Sequence, residues 1–240
     1  MPRMQARERI VLAIDQSSRD DIRATVDELR DLVGVFKIGL QAFIANGPSL
    51  VRELVAGGAK IFLDLKIHDI PNTAMHAVAE ASSLGASILT VHAGGGLAMM
   101  TACVAGVAES QPKPLLLGVT VLTSLDAVEL ERIGLPADPL QNAVRLARLA
   151  REAKLGGVVA SPLEIAAIRE ACGNDFVILT PGIRGAGDAS GDQRRTMSAA
   201  DAVAAGADYI VVGRPITAAR DRRAAALAIA EQIETKNASR

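Results

Sequence analysis

Residues 62–71, "FLDLKIHDIP", set Asp64, Lys66 and Asp69 inside what otherwise reads as an apolar strand and its exit. Alternate residues of a strand share a face, so Asp64 and Lys66 project together while Leu63 and Leu65 project the other way. The same parity in "VFKIGL" turns Lys37 away from Phe36 and Ile38, and "RIVLAID" ends on Asp15. An isolated charge is costly in an apolar interior, whereas carboxylates and ammonium groups in alternation neutralise one another through charge-assisted hydrogen bonds. Asp15, Lys37, Asp64 and Lys66 alternate in this way. A purely structural ion-pair network is the plain alternative, but buried pairs are often no more stabilising than apolar packing, which is a poor reason to keep four charges. The chemistry such a group supplies is charge stabilisation: an ammonium about 4 Å from a developing carbanion is worth about 4 kcal/mol at an effective dielectric near 20. A carboxylate pressed against an anionic substrate feels a comparable penalty.

A second constellation closes the chain's last two apolar runs. "TPGIR" carries Gly182 and Arg184, and "VVGRP" carries Gly213 and Arg214. Glycine amides and guanidinium groups converging at neighbouring strand ends form a phosphate site, so a phosphorylated substrate is expected. The histidines say less. His68 and His92 fall near strand ends and His76 on a helix, without HxH or HExxH spacing, so no metal is expected and structural or supporting roles fit better. No GxGxxG opens the first strand-helix unit, which disfavours a nicotinamide cofactor. "HAGGGLA" reads as a tight turn into a helix rather than an anion site. Cys103 and Cys172 lack CxxC or Cys/His company and are expected as buried small hydrophobes.

These residues need a frame. Eight apolar runs bounded by turn residues recur along the chain: "RIVLAID", "VFKIGL", "KIFLDLK", "SILTVHA", "PLLLGVT", "GVVASP", "FVILTPG" and "YIVVGR". Segments such as "SRDDIRATVDELRDLV", "PNTAMHAVAEASSLG", "PLQNAVRLARLAREA" and "SAADAVAAG" lie between them, with apolar residues at three- and four-residue spacing and Ser, Asp or Pro near their starts. Eight strand-helix units in 240 residues fit one α/β domain, a (β/α)8 TIM barrel spanning 1–240, better than an open doubly wound sheet. Strand parity then aims the charged residues at the barrel axis, near the carboxyl ends of the strands. Two long connections, "LTSLDAVELERIGLPADP" and "GIRGAGDASGDQRRTM", follow strands five and seven as candidate lids or clamps. The net charge of −1 gives no global reason to bind nucleic acid or an anionic membrane. Without a signal-like start or a membrane-length apolar run, the expectation is a cytoplasmic protein.

Taken together, these motifs resemble the orotidine 5′-phosphate decarboxylase family. "DLKIHDIPNT" is close to that family's signature, and "LAID", "FKIG", "LTS", "PGIR", "GDQ" and "VVGRPI" follow its order over nearly the whole chain. The resemblance implies decarboxylation of orotidine 5′-monophosphate (OMP) to UMP in pyrimidine synthesis, without a cofactor. It assigns Lys66 as proton donor to the pyrimidine C6, flanked by Asp64, and gives Lys37 and Asp15 to the ribose hydroxyls and the charged network. Thr123 and Ser124 match residues at the pyrimidine and lid, Pro181 lines the base pocket, and Arg184, Gln193, Gly213 and Arg214 match the phosphate grip. Ile70 and Thr73 are implied as substrate contacts. Asp69, an implied catalytic residue, reaches with Thr73 into the neighbouring subunit's site, so the active unit is a homodimer. The family often has Pro after "PGIR" and a "TP" helix start where this chain has Gly185 and Ser198-Ala199. The rivals are a magnesium-dependent hexulose-phosphate synthase or keto-acid sugar-phosphate decarboxylase, which share DxKxxD, and a silent barrel that senses a nucleotide.

Overall fold

The computed structural model describes residues 4–183 and 196–238. Eight strands, β1 (Ile10–Ile14), β2 (Val35–Gly39), β3 (Ile61–Ile67), β4 (Ile88–His92), β5 (Leu115–Val119), β6 (Gly157–Val159), β7 (Val177–Thr180) and β8 (Tyr209–Val212), close into a barrel in chain order. All eight neighbouring pairs are parallel, β8 returning to β1. This is the expected (β/α)8 architecture.

Several helices form where amphipathic spacing and side-chain capping coincide. In Arg19–Leu29 the buried residues Ile22, Thr25, Val26 and Leu29 recur every three or four positions, and the Ser18 side chain accepts the Asp21 N–H at the start. Asp20 and Asp21 sit in the first turn, where the helix dipole favours negative charge. Pro71–Ser82, Pro139–Glu152 and Ala199–Ala205 occupy three of the expected helical segments. Ser198 caps the last of these by accepting the Asp201 N–H. The connection after β2 holds two helices, Leu40–Asn46 and Pro48–Ala56, divided at Gly47, whose φ of 68° suits glycine, with Pro48 opening the second. The long connection after β5 contains its own short helix, Ala127–Arg132, capped by Asp126.

Packing separates into two layers. The larger core lies between strands and helices and includes Leu12, Phe36, Ile38, Leu63, Leu89 and Ile178. Inside the barrel, Val11, Val35, Phe62, Ile88, Leu117, Leu179 and Val211 fill a smaller plug. The register sets Ala13 beside Lys37, Lys37 beside Phe62, and Gly39 beside Asp64. Charged residues therefore stand one step above an apolar floor, on the inward parity that the strand alternation predicts. Among the described residues, no helix is long and apolar enough to cross a membrane.

Candidate active site

Strand β3 is regular through Leu63 and then departs from its neighbour. Leu63 pairs with Leu89 and Ile67 with Val91, so Asp64, Leu65 and Lys66 face the single residue Thr90. Lys66 takes φ 51°, in the left-handed region that a non-glycine side chain seldom adopts. At this bulge the Lys66 ammonium stands 2.8 Å from Asp64 Oδ2.

From there the network runs outward. Lys37 Nζ lies 3.9 Å from Asp64 Oδ2 and 3.5 Å from Asp15 Oδ1. Asp64 is 8% exposed, whereas the Asp15 side chain is 68% exposed. The inner pair is better shielded than the outer one, which solvent largely screens. The structure thus brings Asp15, Lys37, Asp64 and Lys66 to one mouth in the expected alternation.

Thr90 completes the inner pair and went unremarked in the sequence. Its hydroxyl donates to Asp64 Oδ1 at 2.9 Å and accepts the Lys66 backbone N–H at 3.0 Å. The signal was available, since Thr90 has the inward parity of Ile88, but a threonine in a strand is ordinarily just a good β-former.

The four charged residues line one wall of a cavity of about 330 Å3. Thr123, Ser124, Pro181, Gly182, Gly213 and Arg214 line its other walls, with Phe62, Val159 and Leu179 among the apolar residues. Gly213 and Arg214 stand where β8 passes into the short helix Arg214–Thr217. The cavity thus combines the cations Lys37, Lys66 and Arg214 with apolar surface, a lining that suits a small anionic ligand with an apolar part. Arg184 and Gln193 lie outside the described residues.

Asp69, Ile70 and Thr73 are not brought to this cavity. Asp69 Oδ1 accepts the Ile70 N–H at 2.7 Å, and both residues line a separate recess with His68, Pro71, Gly94 and Gly95. Thr73 is exposed on the helix Pro71–Ser82. His68 and His92 stack beside the recess, ring centroids 5.0 Å apart and planes 14° apart. His92 Nδ1 accepts the Gly94 N–H at 3.1 Å. Burial holds the His92 imidazole below its ordinary protonation range, and the charges of His68 and Lys66 push it the same way. "HAGGGLA" forms a 3-10 turn, Ala93–Gly95, leading into the helix Gly96–Gly106. Both cysteines are buried, and burial raises the Cys103 thiol to about 11. Among the described residues, no three His, Cys, Asp or Glu side chains gather as a metal site would require.

Comparison with known proteins matches residues 8–229 to the family described as orotidine 5′-phosphate decarboxylase / HUMPS. A protein named orotidine 5′-phosphate decarboxylase from Moorella thermoacetica is 50% identical, the match covering 98% of this chain and 95% of that one. One of the same name from Syntrophus aciditrophicus is 47% identical, over 94% and 93% of the two chains. The crystal structure of orotidine 5′-phosphate decarboxylase from Lactobacillus acidophilus superposes with a TM-score of 0.83 at 35% identity, covering 93% of this chain and 98% of that one. Sequence and fold agree over almost the full length, and the chain belongs to the orotidine 5′-phosphate decarboxylase family.

Proposed function

We propose that this cavity binds OMP and converts it to UMP and carbon dioxide by setting its charges in place before the bond breaks. The observation that carries the reading is the Lys66 ammonium 2.8 Å from the buried Asp64 carboxylate, with Lys37 3.9 Å from the same carboxylate oxygen. The substrate's C6 carboxylate enters beside Asp64, and the C6–carboxyl bond breaks to release CO2. The electron pair left on C6 meets the Lys66 ammonium, which stabilises it and then donates a proton from Nζ to give UMP. Lys66 regains its proton from solvent. No electron sink beyond preorganised charge is required.

The remaining assignments follow the family resemblance, and the cavity lining at Asp15, Lys37, Thr123, Ser124, Pro181, Gly213 and Arg214 supports them. Lys37 and Asp15 take the ribose hydroxyls, while Thr123, Ser124 and Pro181 take the base. Gly213 and Arg214 hold the phosphate together with Arg184 and Gln193. Asp69, Ile70 and Thr73 lie away from their own chain's cavity, and Ile70 is 67% exposed, which supports their service to the site of a second copy in a homodimer. The reading carries a cytoplasmic enzyme with no nucleic-acid or membrane partner.

The family description spans two chemistries, and "IHDIPNT" with "LTS" favours the decarboxylase over the magnesium-dependent sugar-phosphate enzymes. Purified protein mixed with OMP, with and without EDTA, should lose substrate absorbance at one rate in both. Activity that disappears with chelator favours the magnesium enzyme, and UMP affinity without turnover favours a sensor.

A further inference from the structure

We propose that Thr90 is a positioning residue for the reaction, its hydroxyl tying the Asp64 carboxylate to the Lys66 backbone and so setting where the Lys66 ammonium stands. The inference rests on the roles given to Lys66 and Asp64 above. Where β3 departs from β4, three residues of one strand oppose Thr90 alone, and the Lys66 N–H has no place in the ladder. The Thr90 hydroxyl accepts that N–H at 3.0 Å and donates its own proton to Asp64 Oδ1 at 2.9 Å. One hydroxyl has a donor and two acceptor lone pairs, so both bonds form together.

The two oxygens of Asp64 are thereby divided. Oδ1 belongs to Thr90, while Oδ2 faces Lys66 at 2.8 Å and Lys37 at 3.9 Å. Thr90 is 1% exposed, so bulk water cannot replace its hydroxyl freely. The left-handed backbone at Lys66, φ 51°, is a conformation that persists only where surrounding contacts over-determine it. The Thr90 bond is one such contact, and it acts on the residue whose side chain performs the proton transfer.

Thr90→Val removes the hydroxyl at nearly constant volume, and Thr90→Ser keeps it. A misplacement of about 1 Å at a reacting group costs about 100-fold, so Thr90→Val should lower kcat by that order. UMP affinity, held largely by the remote phosphate grip, should stay within about threefold, and Thr90→Ser should recover most of the rate. A threonine that only supports the fold would instead lower Tm and leave the kcat of folded enzyme unchanged. Full kcat in Thr90→Val, or a serine variant as slow as the valine one, overturns the proposal. Should the valine variant not fold, Thr90→Ser and Thr90→Ala differ only in the hydroxyl, and equal kcat in that pair overturns it too. Lys66→Ala assayed alongside separates the two ideas. An inactive Lys66→Ala beside a fully active Thr90→Val sinks the role of Thr90 alone, whereas parental turnover in Lys66→Ala sinks both.

Discussion

Asp64 and Lys66 stand two residues apart on one strand, and their side chains meet at 2.8 Å where the backbone at Lys66 turns left-handed. In a regular strand the two would project in parallel, roughly 6.5 Å apart at the backbone. The bonded pair coincides with the bulge, and Lys66 is held there in a conformation that disfavours a lysine.

That strain gives a stability prediction separable from catalysis. Lys66→Ala and Lys66→Gly should both lose nearly all decarboxylation with the fold intact. The left-handed conformation costs a residue with a β-carbon about 1 kcal/mol more than glycine, so Lys66→Gly should be the more stable of the two by about that amount in urea unfolding. A retained rate in either variant removes Lys66 from the chemistry.

Gly39 leaves room for the other ammonium. A β-carbon there would sit 3.0 Å from Lys37 Nζ and 4.0 Å from Asp15 Oδ1. The obstructed atom is the end of a flexible side chain, so Gly39→Ala should shift Tm little while Lys37 moves by a few tenths of an ångström. We expect kcat/KM to fall about tenfold, corresponding to about 1.4 kcal/mol. Wild-type kinetics in this variant would show that the position of Lys37 is unimportant.

The proposed function sets Arg214 at the phosphate, away from the bond that breaks. If it grips the phosphate, its binding energy helps drive assembly of the site, and Arg214→Ala should depress kcat/KM by about 100-fold while also weakening UMP. Turnover and product affinity equal to the parent's would refute the phosphate assignment.

His92 makes stability depend on pH. Its folded pKa is depressed below the ordinary imidazole value of 6.5, by burial first and then by the charges of His68 and Lys66. The unfolded chain therefore binds the proton more readily, and stability that is complete above about 6.5 is lost as pH falls through the folded value. Urea unfolding of the parent between pH 7.5 and 5 should show this loss, and His92→Gln should flatten it. An unchanged slope in the variant would assign the effect to other groups.

The proposed service of Asp69 to a second copy can be tested by mixing. Lys66→Ala and Asp69→Ala homodimers should each be nearly inactive. After subunit exchange at equal ratio, half the dimers are mixed and each of those has one intact site, restoring about a quarter of the parental activity. No recovery after verified exchange would place Asp69 and Lys66 in the same chain's site.

The barrel and the inward aim of the charges were legible in the sequence because both follow from local rules. Period-two alternation in a strand is a property of backbone stereochemistry, so the opposite facing of Leu63 and Asp64 needs no knowledge of the neighbouring strand. Eight such runs separated by helical spacing then leave few architectures open. The short helix Ala127–Arg132 was hidden because its six residues present too few turns to show a period. What tertiary structure alone decided is the closing of the network. The bulge at Lys66, the division of the Asp64 oxygens and the place of Thr90 all depend on how β3 registers against β4, between residues 24 and 26 positions apart in the chain. Likewise the ends of β3 and β8 share one cavity only once the barrel closes. Hydrogen-bond geometry across strands is set by packing of the whole barrel, and no local stretch of residues contains it.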